Sequence, residues 1–165
     1  MAAHLIELRF CFANALRERF RSGELGLEWS LRYPEIFDAD DLRLLKTAHQ
    51  RRFNFLEWLG AVLMFEATGY RALVVKYGSD NHPRKTEILR RVCDPELLKY
   101  IADGDESGWP DLFLFRDDKP GNHFFCEVKG PGDRLREHQD RLFRHLYKLT
   151  GIPVRILYLN PLFEK

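Results

Sequence analysis

Two carboxylates and one lysine lie at the ends of two short apolar segments in the C-terminal half of the chain. Asp111 opens the segment 111–117 (DLFLFRD), and Glu127 and Lys129 end the segment 123–129 (HFFCEVK). Carboxylate oxygens are the ligands that Mg²⁺ and Mn²⁺ prefer. A lysine beside them can orient a water molecule or stabilise developing negative charge. These residue types predict a divalent-metal site with a cationic neighbour.

Both segments are rich in β-forming residues and predict strands. Because strand residues alternate between two faces, Phe125, Glu127 and Lys129 share one face. A short turn separates the strands, so they should pair as an antiparallel hairpin, with Asp111 opposite the Glu127–Lys129 end. The alternative is an ordinary buried ion pair of Glu127 with Lys129, beside an aspartate that only ends a loop.

A longer motif surrounds these three residues. Gly108-Trp109-Pro110-Asp111 is followed, sixteen residues further on, by Glu127-Val128-Lys129-Gly130-Pro131, and then by Asp133, Leu135 and Gln139. Over about residues 108–159 the sequence resembles the virus-type replication-repair nuclease (VRR-NUC) domains, a branch of the PD-(D/E)XK nucleases. The GxPDL and EVKGPxDxL patterns carry this resemblance, and the second is much more specific than the parent ExK motif.

The resemblance implies roles for four residues. Asp111, Glu127 and the main-chain carbonyl of Val128 would bind Mg²⁺ or Mn²⁺, and Lys129 would position the attacking water. The implied activity is metal-dependent hydrolysis of DNA phosphodiester bonds. Stand-alone members of the family resemble Holliday-junction resolvases, which work as symmetric dimers. We therefore expect a stand-alone enzyme of DNA repair or recombination, a homodimer, that acts on branched DNA (junctions or flaps) or on duplex DNA.

Gln139 and Glu57 are further candidates because each is polar in an apolar setting. Gln139 is the one polar member of an inward stripe on a predicted helix, and a buried amide without partners costs about 1–3 kcal/mol. It either contacts the metal site or bonds a strand edge. Glu57 is the only charge between Phe53 and Phe65 in a helix that is apolar nearly all round. It either reaches the metal, directly or through water, or pairs with an arginine at 51, 52 or 71; Glu66 and His49 are weaker candidates.

DNA contacts must come from a local surface, since the net charge is only +1. Arg134 and Arg136 follow the GPGD turn at the start of a predicted helix, whose free N–H groups favour anions. Trp109 stands beside Asp111 in a loop and could touch the substrate. We expect these three residues to contact DNA.

The elements that would position these residues follow from periodicity and from turn and cap residues. We predict helices over 4–21, 41–49 (capped by Asp40), 53–67 (ended by Gly69), 84–92, 95–102 and 133–149, and strands over 70–77, 111–117, 123–129 and 154–159. The last helix should make a right-handed crossover between two parallel strands. The fold class is α/β, a restriction-endonuclease-like αβββαβ core with a mixed sheet flanked by helices, behind an N-terminal helical addition.

Length and composition suit one compact core. The expected organisation is an N-terminal helical addition over 1–50 and a nuclease domain over 51–165. No apolar run approaches the roughly 20 residues that span a bilayer, so no membrane partner is expected. Three scattered cysteines favour a reducing cytoplasm. A non-catalytic DNA- or protein-binding module on the same fold, a restriction or phage-defence nuclease, and a structural protein with ordinary ion pairs remain alternatives.

Overall fold

The computed structural model describes residues 3–74, 77, 82–104, 108–116 and 121–162. The strands are β1 (Leu5–Phe12), β2 (Arg71–Val74), β3 (Leu112–Phe115), β4 (His123–Lys129) and β5 (Val154–Pro161). The helices are α1 (Asn14–Ser22), α2 (Glu24–Arg32), α3 (Ala39–Arg43), α4 (Ala48–Thr68), α5 (Pro83–Val92), α6 (Pro95–Asp103) and α7 (Glu137–Thr150).

One mixed sheet organises the molecule, with the strand order β1-β5-β4-β3-β2. β2, β3 and β4 pair antiparallel, whereas β5 runs parallel to both β4 and β1. The predicted hairpin and the predicted crossover through α7 are therefore both present. The order α4-β2-β3-β4-α7-β5 confirms the αβββαβ core and the α/β fold class.

Apolar side chains of the sheet belong to two hydrophobic clusters, one on each face of the sheet. On one face, Leu112, Cys126 and Leu157 belong to a cluster that includes the buried side of α4 and residues of α1 and α2. On the other face, Phe113, Phe125 and Ile156 pack with α5, α6 and α7. Because both faces are covered, every residue of β3 and β4 is buried, and a charged residue in these strands needs a partner.

The helix predicted over 4–21 is wrong in its first half, where the chain forms strand β1. The spacing of Leu5, Ile6 and Phe10 also fits a strand whose two faces are partly covered. β1 gains its stability from parallel pairing with β5, in the register Leu5↔Val154 to Phe12↔Pro161. This partner lies about 150 residues away along the chain, so no local pattern reveals it. Only the second half, α1, is helical, and α2 extends the helical N-terminal region.

Several predicted boundaries also move. Asp38 caps the short helix α3 through the N–H groups of Asp40 and Asp41, so Asp40 is not the cap, and α4 begins already at Ala48. Gly69 ends α4 at φ 71°, as predicted. α7 begins at Glu137 instead of residue 133, because the preceding turn is closed by a hydrogen bond from Gly130 N–H to Asp133 Oδ2. The predicted ends of β2 and β3 at 75–76 and 117, the hairpin turn at 118–120 and loop residues 105–107 lie outside the described residues.

Within the described part of the chain, no helix is both long and apolar enough to cross a membrane. The three cysteines are free thiols, with Cys11 exposed, Cys93 half-buried and Cys126 buried. The division between residues 1–50 and 51–165 stays a prediction, although β1 and β5 belong to one sheet.

Candidate active site

Asp111 is held at the entrance to β3 by contacts on both sides of it. The buried Tyr77 hydroxyl donates to the carbonyl of Pro110 at 2.8 Å. The Val128 N–H donates to Asp111 Oδ2, also at 2.8 Å. Since Leu112 pairs with Cys126 in the hairpin, Asp111 lies beside Glu127 and Val128. The structure therefore brings together the two carboxylates that the sequence predicted to converge.

Glu127, Lys129 and Gln139 form one buried hydrogen-bonded network. Glu127 Oε1 accepts from Lys129 Nζ at 2.6 Å and from Gln139 Nε2 at 2.7 Å. Lys129 Nζ also donates to Gln139 Oε1 at 3.1 Å. The three residues are 3%, 7% and 8% exposed. Gln139 thus hydrogen-bonds to both Glu127 and Lys129. These contacts explain why an amide lies on the buried face of α7.

The second oxygen of Glu127 has no such partner. Among the described residues nothing hydrogen-bonds to Glu127 Oε2, although this atom is buried. Buried polar atoms are paired in most proteins, and exceptions often mark a missing ligand or a functional site. The unpartnered oxygen gives the site an acceptor that the protein leaves free.

Glu57 approaches this site from α4, the helix behind the sheet. A side chain at Gly60 would come within 3.1 Å of Val128 Cγ2 and 3.2 Å of Leu157 Cδ2, so the glycine lets α4 lie directly against β4 and β5. Glu57 precedes Gly60 by almost one helical turn. Arg51, one of its alternative partners, instead donates to the carbonyls of Arg21, Leu45 and Lys46.

Three carboxylates therefore share one poorly solvated space. Burial and then the charge of Glu127 raise the pKa of Glu57 to about 7, against the smaller opposing effect of Lys85. Burial, Glu127 and Glu57 raise the pKa of Asp111 well above its ordinary value. The Val128 N–H and Lys129 only partly offset this. Mutual repulsion among carboxylates of this kind is characteristic of sites that hold a cation.

The donor set fits Mg²⁺ or Mn²⁺ in chemistry, though not as a closed protein cage. Within the described ranges, no three side chains of histidine, cysteine, aspartate or glutamate are grouped closely enough to hold a metal by themselves. Mg²⁺ keeps several of its waters and needs only one or two carboxylates. Asp111, the free oxygen of Glu127 and the Val128 carbonyl would suffice, with Glu57 acting directly or through water.

Arg134 and Arg136 lie in the segment that leads into α7, next to this network. Both side chains are exposed, and the described residues give neither of them an ion pair. The Arg136 N–H donates to Gln139 Oε1 at 3.3 Å, which ties this segment to the buried network. They lie beside the candidate site, and their predicted contact with DNA phosphates stays a prediction.

Trp109 has packing contacts within the protein, and its predicted contact with DNA stays a prediction. Its ring is half-buried and packs between Tyr100 and Phe125, with centroid distances of 5.5 and 6.0 Å. Gly108, at φ 87°, lies against α7, since a side chain there would come within 2.9 Å of His138. The Gly-Trp-Pro turn thus packs on α6, β4 and α7, and this packing gives Trp109 a structural role whether or not it also touches DNA.

Sequence reasoning missed Tyr77 and Lys85. Tyr77 anchors the turn before Asp111, and burial together with Asp111 and Glu127 raises its pKa well above the ordinary value. Lys85 is fully buried, and its charge acts on Glu57. Lys85 occurs in the polar run PRKTE, which gave no signal of burial. Tyr77 ends a predicted strand, where an inward-facing hydroxyl could have been suspected.

Comparison with known proteins identifies the family. The VRR-NUC domain model matches residues 62–160, more than half of the chain. The chain therefore belongs to the VRR-NUC family, as the motifs around Asp111 and Glu127 predicted.

Among solved structures, the chain is similar to paFAN1, determined in complex with a 2-nucleotide 5′-flap DNA with a gap. The sequence identity is 19% and the TM-score is 0.49; all of this chain is covered, but only 39% of that one. No curated protein matches the sequence.

Proposed function

We propose that this protein is a metal-dependent nuclease that hydrolyses phosphodiester bonds in DNA. The observation that carries the proposal is the buried Glu127, which shares one oxygen with Lys129 and Gln139 and keeps the other unpartnered beside Asp111. A purely structural ion pair has no need of a free buried oxygen or of two further carboxylates. Membership of the VRR-NUC family supports the same conclusion.

The residues have separate tasks in this proposal. Asp111, Glu127 and the Val128 carbonyl would hold Mg²⁺ or Mn²⁺, with Glu57 bound directly or through water; the ion would polarise the scissile phosphate and lower the pKa of a bound water. Lys129, fixed between Glu127 and Gln139, places a positive charge where negative charge develops on the phosphate, or orients the attacking water. Gln139 is a positioning residue, because it fixes the lysine and not the substrate.

The proposed substrate is branched or duplex DNA, with Holliday-junction-like and flap structures first. This preference rests on the resemblance of the sequence to repair and recombination nucleases. Arg134 and Arg136 would bind phosphates beside the metal at the start of α7, where the free N–H groups of the helix also favour anions. A cytoplasmic location and a role in restriction or phage defence stay predictions from the sequence.

One observation favours a second function, a DNA-binding module without catalysis. The absence of a closed metal-ligand group among the described residues is what a binding module on this fold would show. Such a module would bind DNA without cutting it, with or without divalent metal.

A cleavage assay separates the two functions. The protein is incubated with labelled junction, flap, duplex and single-stranded DNA, with Mg²⁺, with Mn²⁺ and with chelator. The proposal expects metal-dependent cleavage that is lost in Glu127→Gln and kept in Glu137→Gln, a matched change at an exposed glutamate of α7. Binding without cleavage under every condition would establish the alternative.

Calorimetry tests the metal site independently of activity. Mn²⁺ or Mg²⁺ should give a binding signal that shrinks in Asp111→Ala, because that variant loses one of the few protein oxygens available to the ion. An unchanged signal would remove Asp111 from the metal site.

A further inference from the structure

Strand β1 leaves one long edge of the sheet open. It is eight residues long and pairs with β5 on its inner side. No other strand of the described residues pairs with its outer side. Ile6 is 40% exposed, and Glu7, Arg9 and Cys11 are also exposed. A long uncovered edge strand can hydrogen-bond to a strand of another chain, and most proteins cover or disrupt such edges.

The hydrogen bonds to β5 determine which peptide groups face outward. The N–H of Val154 bonds the carbonyl of His4, and the N–H of Leu162 bonds the carbonyl of Phe12. Even-numbered residues of β1 thus turn their peptide groups toward β5. Since these groups alternate along a strand, the N–H and C=O groups of Leu5, Glu7, Arg9 and Cys11 point away from the sheet.

We propose that this edge pairs with β1 of a second copy of the chain, antiparallel, with Leu8 opposite Leu8 on a two-fold axis. In this register the outward peptide groups of Glu7 bond those of Arg9 in the second copy, and Leu5 pairs with Cys11. Glu7 and Arg9 already form an exposed ion pair within one copy at 3.1 Å, and in this register each Glu7 also faces Arg9 of the second copy. On the other face Ile6 meets Phe10, which covers apolar surface that is exposed in one copy.

Charge selects this register over its neighbours. A shift by one residue would place the outward peptide groups of one copy opposite residues whose own peptide groups point toward β5. A shift to the next allowed register, in either direction, places Glu7 opposite Glu7 or Arg9 opposite Arg9. Like charges directly opposite on paired strands are unfavourable, whereas opposite charges stabilise the pairing. The strand is therefore complementary to itself in one arrangement, and the expected homodimer forms through strand β1.

The pairing also relates the two candidate active sites, a consequence that rests on the proposed function. Leu8 lies in one row with Leu157 and Val128. Five strand spacings of about 4.8 Å separate Val128 from its copy across the axis, roughly 24 Å in all. The axis is perpendicular to the sheet, so both sites open on the same face. Such a dimer could act on two strands of one DNA structure.

Disulfide trapping tests the register without any nuclease assay. Residues opposite each other in a non-hydrogen-bonded antiparallel pair have Cα atoms about 4.5 Å apart, within reach of a disulfide. In a Cys11→Ser background, Leu8→Cys should cross-link to a covalent dimer under mild oxidation. Ile6→Cys is the matched control and should not, because its own copy lies four residues further along the strand.

Charge reversal tests the same pairing by sedimentation. Glu7→Arg or Arg9→Glu should raise the dimer dissociation constant about tenfold or more, and the double variant should return it toward the wild-type value. The double variant also shows that loss in the single variants is not misfolding. A monomeric wild-type protein, equal cross-linking of both cysteine variants, or a double variant as weak as the singles would overturn the proposal. Cleavage by a monomer would leave the proposed function intact.

Discussion

Among the described residues, two lysine–carboxylate pairs are buried, and they differ in whether the carboxylate keeps an oxygen without a hydrogen-bond partner. Lys85 and Asp41 have fully buried side chains. Lys85 Nζ donates to Asp41 Oδ1 at 2.7 Å and to the Val74 carbonyl at 2.6 Å, while Asp41 Oδ2 accepts from the Asp38 N–H. Both oxygens of Asp41 are therefore used. Lys129 and Glu127 are equally close, yet Glu127 keeps one oxygen unpartnered among the described residues.

The balance of charge around the two lysines also differs between the two pairs. Lys129 pairs with Glu127 and acts on Asp111, whose pKa is raised by burial and then by the charges of Glu127 and Glu57. Burial and then the charge of Glu127 also raise the pKa of Glu57. Around Lys85 the paired carboxylate also belongs to the capping box of α3. A buried ion pair by itself therefore says little about function. Spare acceptors and excess like charge are what distinguish the candidate active site from a structural pair.

The largest effect is expected from a substitution that breaks the Lys85–Asp41 pair. Lys85→Met should destabilise the protein by about 3–5 kcal/mol, since Asp41 would stay buried without its cation. Denaturant unfolding measures this. Adding Asp41→Leu should recover much of the loss, because an apolar pair replaces the charges. A small effect of Lys85→Met would mean that this pair is not a structural one.

The second change breaks the active-site pair. Lys129→Ala should slow cleavage by roughly 100-fold or more while DNA binding is retained, because the lysine acts on water or on transition-state charge. Single-turnover cleavage and a binding titration measure the two effects. Lys148→Ala, at an exposed lysine near the end of α7, is the control. If cleavage by Lys129→Ala stays within a few-fold of wild type, Lys129 is a structural residue like Lys85, and the two pairs do not differ in function.

Glu57→Gln tests the same comparison by removing the charge of one carboxylate in the candidate active site. A carboxylate whose pKa is raised in the folded state destabilises the fold increasingly as pH rises from its ordinary pKa through about 7, and each pKa unit corresponds to about 1.4 kcal/mol. In chelator, Glu57→Gln should thus be more stable than wild type at pH 8.5, by about 1 kcal/mol or more, and similar to it at pH 5.

The same variant should lose most cleavage activity if Glu57 holds the metal or a metal-bound water. Melting curves at both pH values and a cleavage assay decide this. A Glu57→Gln protein that is destabilised by about 3–5 kcal/mol but fully active per folded molecule would instead show that Glu57 is half of a structural ion pair.

The smallest effect concerns the surface arginines beside the site. Arg134→Ala and Arg136→Ala should each weaken DNA binding alike on all sequences and reduce the salt slope by about 1, as expected for phosphate contacts. Arg141→Ala, whose guanidinium is paired with Glu137, is the control. A change of sequence preference in either variant would show that the arginine reads bases.

The sequence determined much of the core because its signals are local. The hairpin of β3 and β4 follows from two β-rich segments joined by a turn, and alternation places Glu127 and Lys129 on one face. The Pro-Asp turn then brings Asp111 beside them. Gly69 ends α4 as predicted, since a glycine at φ 71° closes the helix. These features depend on neighbouring residues, which a single sequence displays.

Only the tertiary structure decided the remainder. β1 is a strand because β5 pairs with it from the far end of the chain. Lys85 is buried because Asp41 and the Val74 carbonyl meet it from separate elements, and the free oxygen of Glu127 exists because Lys129 and Gln139 both bond the other one. Each of these outcomes depends on contacts between distant segments, and side-chain type and local spacing carry no record of such contacts.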